Sequence, residues 1–250
     1  MFYAIKNGEK IRPLPDATAT CPFCYGKVIA CTGEIKSWYW RHERGQHSDC
    51  ISYQYEAETE WHYTWKSLFP KAWAEVRCEE NGKIMIADVK FPNGLVLEIQ
   101  HSPISPQKIK ERQTFHRNVV WLFDATGPMQ NSQIGYHKKI EWIQPRETMK
   151  FANEPVFIDV GFTADRAKHE VLALTDIRTG FYTKKIYNEK TDDFYRVKAY
   201  MGPCKILGIK EFTAKLRALD KKLKKGNEEN HSQPKQKKDR GSGQLSFFSH

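Results

Sequence analysis

At 250 residues the chain can bury a sizeable core and hold more than one module. Its 40% hydrophobic and 13% aromatic content excludes a disordered polar chain. The +10 net charge favours an acidic partner, of which nucleic acid is the usual one. Between Lys215 and Arg240, ten basic residues face four acidic ones, so +6 of that charge sits in a tail. The start, MFYAIKNGEK, lacks the apolar stretch of a signal peptide, and no run approaches the ~18 apolar residues of a membrane span. Six unevenly spaced cysteines argue against a disulfide framework. A cytoplasmic, reducing setting is expected, and there a cysteine cluster more often means metal.

Residues 1–52 read as short strands and turns dense in Cys, His and aromatic residues. Cys21-x-x-Cys24 has the spacing of a knuckle that turns two thiolates onto one zinc ion, and His42, His47 and Cys50 supply candidates for its other half. Cys31, Cys78 and Cys204 have no partner at ligand spacing and read as buried thiols. Residues 54 to about 70 read as a helix with Trp61, Trp65, Leu68 and Phe69 on one face. Glu58, His62 and Lys66, spaced i, i+4, i+8, form a polar stripe along the edge of that face. A solvated stripe of this kind is common on helices. Glu60 projects away from the apolar face, toward solvent.

Strand-like runs follow at 72–79, 83–91 and 95–101, and the run IADVKFPNGLVLEIQ is the most telling. Pro92-Asn93-Gly94 suits a three-residue hairpin loop that pairs Phe91 with Leu95. That register sets Asp88 opposite Glu98, about 5 Å apart at Cβ, with Gln100 on the same face. Two carboxylates in an apolar sheet need a reason. A hard divalent ion such as Mg²⁺ between them is the favoured one. Protonation of one acid, or an Arg reaching it, is the plainer alternative. Ser105-Pro106 then opens a helix to about Asn118, and VVWLFD returns as a strand, a parallel crossover.

Helix–β–β–β–helix–β with paired acids on the central hairpin resembles the PD-(D/E)XK restriction-endonuclease-like fold, a mixed α/β (α+β) class. The pieces CPFC, WRHERGQHSDC, ETEWHYTWKSLF, IADVKFPNGLVLEIQHSPIS and ERQTFHRNVVWLFD resemble, in order, the CoiA-like competence-protein family. They span residues 21 to about 124. The resemblance implies a zinc-binding segment over 1–52 and a nuclease core over 53–125. It implies Asp88 and Glu98 as ligands of a catalytic Mg²⁺ or Mn²⁺, with Glu58, His62 and Lys66 in the motif of the first core helix. It implies Zn²⁺ on Cys21, Cys24, His42 and Cys50, with His47 the alternate. Gln100 stands where the wider fold has Lys, so positive charge is expected from Lys66 first and Lys90 second. Arg112 falls on the family's Arg and, with Lys108, is a DNA-contact candidate; His116 replaces an aromatic residue. The activity implied is metal-dependent DNA hydrolysis, and the other reading is a DNA-binding accessory with an inactive core.

Residues 126–224 read as a β-rich extension, with strands PVFIDVGF, VLALTDI, GFYTKKIY and FYRVKAY and a closing helix EFTAKLRALDKKL. From about 225 the composition turns to that of a disordered basic tail. Its end, GQLSFFSH, resembles the short peptide with which bacterial DNA enzymes bind the β sliding clamp, and makes Gln244, Leu245, Phe247 and Phe248 the partner-binding candidates. Oligomeric state leaves no mark on the sequence.

Overall fold

The structure is a computed structural model that describes residues 1–34, 37–54, 59–126, 133–135, 139–162 and 169–232. Glu58 and the Gln244–Phe248 motif lie outside these residues. Five short strands open the chain: β1 (Ala4–Lys6), β2 (Glu9–Ile11), β3 (Thr18–Thr20), β4 (Lys27–Cys31) and β5 (Tyr39–His42). They form an antiparallel sheet of order β2-β1-β3-β4-β5. Its core is little more than Ala4, Phe23, Val28 and Trp40 around Cys21 and Cys50, closed below by Ile86 of the next sheet. So small a core needs a staple.

The remainder is one large mixed sheet. After a 3-10 turn (Ile51–Gln54) come α1 (Glu60–Lys66), β6 (Ala74–Glu80), β7 (Lys83–Lys90), β8 (Val96–Gln100), α2 (Pro106–His116) and β9 (Val119–Asp124). Then follow β10 (Gln133–Gly135), β11 (Lys139–Ile143), β12 (Val156–Phe162), β13 (His169–Leu174), β14 (Phe181–Asn188), β15 (Asp193–Gly208) and α3 (Ile209–Ser232). The order is β10-β11-β15-β13-β12-β9-β8-β7-β6, with β14 on the free side of β15. β8, β9 and β12 run parallel, and the other pairs are antiparallel.

The expected helix–β–β–β–helix–β order is present, from α1 to β9. The expected extension is continuous with it, because β12 pairs with β9 in parallel from Val156–Trp121 to Asp159–Asp124. No break in the sheet marks residue 126. Every residue of β8 and β9 is buried, since helices cover both faces. On one face α2 sets Ile109 over Val96, Trp121 and Phe123. On the other, Trp65 and Phe69 from the α1 region and Phe212 and Leu216 of α3 cover Leu97, Ile99, Val120 and Leu122. Each such side chain contributes about 1.5–3 kcal/mol on burial.

Helix α1 is shorter than the 54–70 expected. Its start is fixed by His62, whose Nδ1 accepts the Thr59 backbone N–H at 3.1 Å. It ends at Lys66, four residues before Pro70. Helix α2 begins as its sequence requires: Ser105 Oγ accepts the Lys108 N–H at 3.2 Å and Pro106 is the first helical residue. Helix α3 runs on to Ser232, past the expected tail boundary at 225, and carries an i,i+4 pair, Lys224–Glu228, at 3.8 Å. Its Asp220 accepts hydrogen bonds from Asn93 N, Asn93 Nδ2 and Leu95 N, and so clamps the tip of the β7–β8 hairpin. No described helix is long and apolar enough to cross a membrane.

Candidate functional site

The β7–β8 hairpin has the register the turn residues demand. Phe91 N–H donates to Leu95 O at 2.8 Å, and the ladder pairs Lys90 with Val96 and Val89 with Leu97. There the ladder stops. At the next position Asp88 turns its own carboxylate into the gap, and Oδ2 accepts the Ile99 N–H at 2.9 Å. Asp88 and Glu98 thus stand where the two strands part.

Each acid faces a cation from a different helix. Lys66 of α1, fully buried, places Nζ 3.1 Å from Asp88 Oδ1. Arg112 of α2 donates through Nη1 to Oε2 of Glu98, which is itself fully buried. Burial alone would raise the Asp88 carboxyl, but Lys66 foremost, with Arg112 and His62, outweighs it and holds the group below the ordinary range. Burial prevails at Glu98. Helped by the charge of Asp88 and opposed by Arg112, it pushes that carboxyl up to about 7. Neighbouring carboxyls pushed in opposite directions are common at catalytic centres and also in structural ion-pair networks. The plainer sequence alternative is therefore realised in part, through Arg112.

The fit to a hard cation rests on one atom. Glu98 Oε1 is buried without a hydrogen-bond partner. His116 Nε2 lies 3.6 Å from it, also without one. Burial, then Arg112 and Lys90, lowers His116 to about 4, so it is neutral at pH 7 and cannot serve as the counter-charge. An unpartnered carboxylate oxygen is a donor that a divalent ion could take. Three donors do not converge here, however. Among the described residues the Cys/His cluster is where three or more His, Cys, Asp or Glu donors close on one point.

The other expected site residues divide. Gln100 is buried beside Glu98, and its Nε2 donates to Ser102 O at 2.7 Å, which fixes its orientation. His62 is buried, with Nδ1 engaged in the start of α1, and Lys66 is not part of a solvated stripe. Glu60 faces solvent as expected. Lys90 lies farther off, with Nζ 3.6 Å from Cys78 Sγ. Lys108 is exposed on α2, whereas Arg112 is turned inward onto Glu98 rather than outward to a ligand.

Three acids escaped the sequence reading. Glu75, 2% exposed, accepts the N–H groups of Phe2 at 3.0 Å and Tyr3 at 3.2 Å and lies 3.6 Å from Lys66 Nζ. Its φ of 48° is left-handed inside a strand, a conformation that costs a non-glycine roughly 1–3 kcal/mol. Asp124, at the end of β9, binds His101 Nδ1 at 2.5 Å and Thr126 through its other oxygen. Asp159 accepts from Trp61 Nε1, Trp65 Nε1, Gly161 N and His169 Nε2, all within 2.8 Å. For Asp124 and Asp159 the signal available was an Asp closing each apolar run, VVWLFD and VFID.

The second centre could hold a metal ion. Sγ of Cys21, Cys24 and Cys50 and a nitrogen of His42 lie within 4.8 Å of one another. Cys24 Sγ is 3.1 Å from His42 Nε2, and Cys21 Sγ is 3.8 Å from Cys50 Sγ. The knuckle forms because Tyr25 N–H returns to Cys21 O and Cys21 N–H to Gly26 O, while Phe23 and Gly26 N–H point at the sulfurs. His47 is not a ligand here. Its ring packs on Gly26, where a Cβ would come within 2.2 Å of Nε2. Three thiols and an imidazole suit a metal such as zinc.

Comparison of the chain with protein-family models, with curated proteins and with solved structures found no match.

Proposed function

We propose that the chain is a metal-dependent deoxyribonuclease whose centre is Asp88, Glu98, Gln100 and Lys66. The observation that carries this reading is the pair of acids set where β7 and β8 part, with Glu98 fully buried. Asp88 and Glu98 would hold Mg²⁺ or Mn²⁺, whose contribution when bound is to polarise the phosphate and lower the pKa of water. Lys66 supplies the fixed positive charge that the neutral Gln100 does not. Gln100, held by Ser102, orients a water or a phosphate oxygen. The resemblance of these segments to the CoiA-like competence-protein family supports the same reading. In the amino-terminal sheet, Zn²⁺ on Cys21, Cys24, His42 and Cys50 is a structural staple, and elemental analysis should find about one zinc per chain.

One observation favours a second reading, a DNA-binding accessory with a silent core: Arg112 already closes on Glu98. Cleavage assays decide between the two. With Mg²⁺ or Mn²⁺ the purified chain should cut single-stranded, double-stranded or branched DNA. Asp88→Asn and Glu98→Gln should each lower the rate by at least about 100-fold, since a ligand's share of metal catalysis is several kcal/mol. A wild-type chain that cuts none of these substrates would establish the silent-core reading.

A further inference from the structure

Strands β14 and β15 extend beyond the sheet as an arm. From Lys184–Val197 out to Asn188–Asp193, five rungs pair only with each other among the described strands. A two-stranded ribbon is marginal alone, so its surface chemistry needs an explanation. Cross-strand register sorts its side chains into two faces. One carries Thr183 with Lys198, Lys185 with Arg196, and Tyr187 with Phe194. All six residues are exposed.

That face is cationic and aromatic, with no acid in its rungs. Lys185 Nζ lies 4.2 Å from the centre of the Phe194 ring, and the Tyr187 and Phe194 rings are 5.1 Å apart. Phe194 is 52% exposed and Tyr187 47%. Lys198 makes a single surface pair, with Glu147 at 3.6 Å. Of the arm's acids, Glu189 and Asp192 are in the turn, where Asp192 accepts the Tyr187 hydroxyl at the tip of this face, and Asp193 is on the other face. The other face is also where Lys184 is neutralised by Glu141 at 2.6 Å. Toward its base the cationic face runs into Tyr200 and Phe181, which join the core beneath α2. It therefore lies on the side of the sheet that α2 covers and toward which Glu98 points.

Exposed aromatic rings beside clustered cations match an unpaired nucleic-acid strand, whose phosphates want charge and whose bases want a flat surface. A hydrophobic protein partner would meet three cations, and a duplex would leave the rings without bases to stack on. We propose that this face of the arm docks an unpaired DNA strand, with Lys185, Arg196 and Lys198 on phosphates and Phe194 and Tyr187 under bases. The choice of DNA rests on the reading in the preceding section; the docking itself does not need cleavage.

The test is anisotropy titration of a labelled 20-nucleotide single strand with the full chain, without added Mg²⁺, over a range of salt. The double variant Lys185→Gln/Arg196→Gln should bind more weakly and reduce the slope of log affinity against log salt by about 1.4. Phe194→Ala should weaken binding about tenfold with the slope unchanged. Lys184→Gln, on the opposite face, should bind like wild type, and all variants should keep their zinc and thermal midpoint. Wild-type affinity in both arm variants would overturn the proposal. So would a duplex of equal length binding as tightly while Phe194→Ala has no effect. Loss of cleavage alone, with arm-dependent binding intact, would instead remove the nuclease reading and leave this one standing.

Discussion

Glu98 carries the clearest linkage between protonation and folding. Its carboxyl is raised from 4.5 to about 7, so the folded chain holds that proton more tightly than the unfolded chain does. Below pH 4.5 both states are protonated and the residue contributes nothing. As pH rises toward 7 the folded state loses ground, by an order of about 3 kcal/mol in total, and above 7 the loss is complete. Urea unfolding of wild type and Glu98→Gln in Mg²⁺-free buffer should show this as a difference that turns against wild type between pH 4.5 and 7. Saturating Mg²⁺ should flatten it. A difference independent of pH would mean that Arg112 keeps Glu98 ionised throughout. Asp88, held low by Lys66, has the opposite sign: its contribution is present above its unfolded value and is lost only in stronger acid.

At the scale of elements, the amino-terminal sheet reaches the site through Glu75. Phe2 and Tyr3 hold the Glu75 carboxylate, and Glu75 shares Lys66 with Asp88. Lys10 adds a bond to Ala74 O at 2.5 Å. Loosening the Cys/His knuckle should therefore be felt at Lys66. Cys50→Ser should release the metal, lower the thermal midpoint by several degrees, and reduce cleavage even with Mg²⁺ saturating. Cleavage that persists at the wild-type rate in a zinc-free variant would disconnect the two centres. Much at this scale was legible in the sequence. Pro92-Asn93-Gly94 fixed a register, Ser105-Pro106 started α2, and the Cys-x-x-Cys spacing named half of the metal site. Those signals are local. Glu75 was not legible, because its partners are backbone N–H groups 72 and 73 residues away. His42, already in the ligand set that the resemblance implies with His47 the alternate, is where the fold places it: on β5 facing inward, while His47 lies on Gly26.

At the scale of the molecule, the continuity of the sheet was the least visible feature. Parallel pairing of β9 with β12 leaves no turn signal, since the strands are joined by other elements rather than by a hairpin. Strand patterns announced that β-structure followed residue 126 but not that it completed the same sheet. The carboxy-terminal motif remains a prediction of the sequence. A peptide carrying Gln244, Leu245, Phe247 and Phe248 should bind a bacterial sliding clamp in roughly the micromolar range, and the Leu245→Ala/Phe248→Ala peptide should not. Cleavage of short free DNA by the chain carrying the same pair of changes should stay at the wild-type rate. A tail peptide without clamp affinity would reduce the tail to a nonspecific tether.

Asp220 carries a consequence for the order in which the protein is made. The hairpin tip it clamps lies 127 residues earlier, at Asn93. At ribosomal rates of about 5–20 residues per second, the acid-bearing hairpin waits roughly 6–25 s for its clamp to be synthesised. Through that interval Asn93 and Leu95 N–H lack the acceptor that fixes the turn, and α3 has yet to cover Leu97 and Val120. A nascent chain thus has its paired acids before it has the lock that holds them, and activity should mature late in synthesis. Asp220→Ala should make that immaturity permanent: hydrogen exchange at Asn93 and Leu95 should quicken selectively, while the amino-terminal sheet exchanges as before.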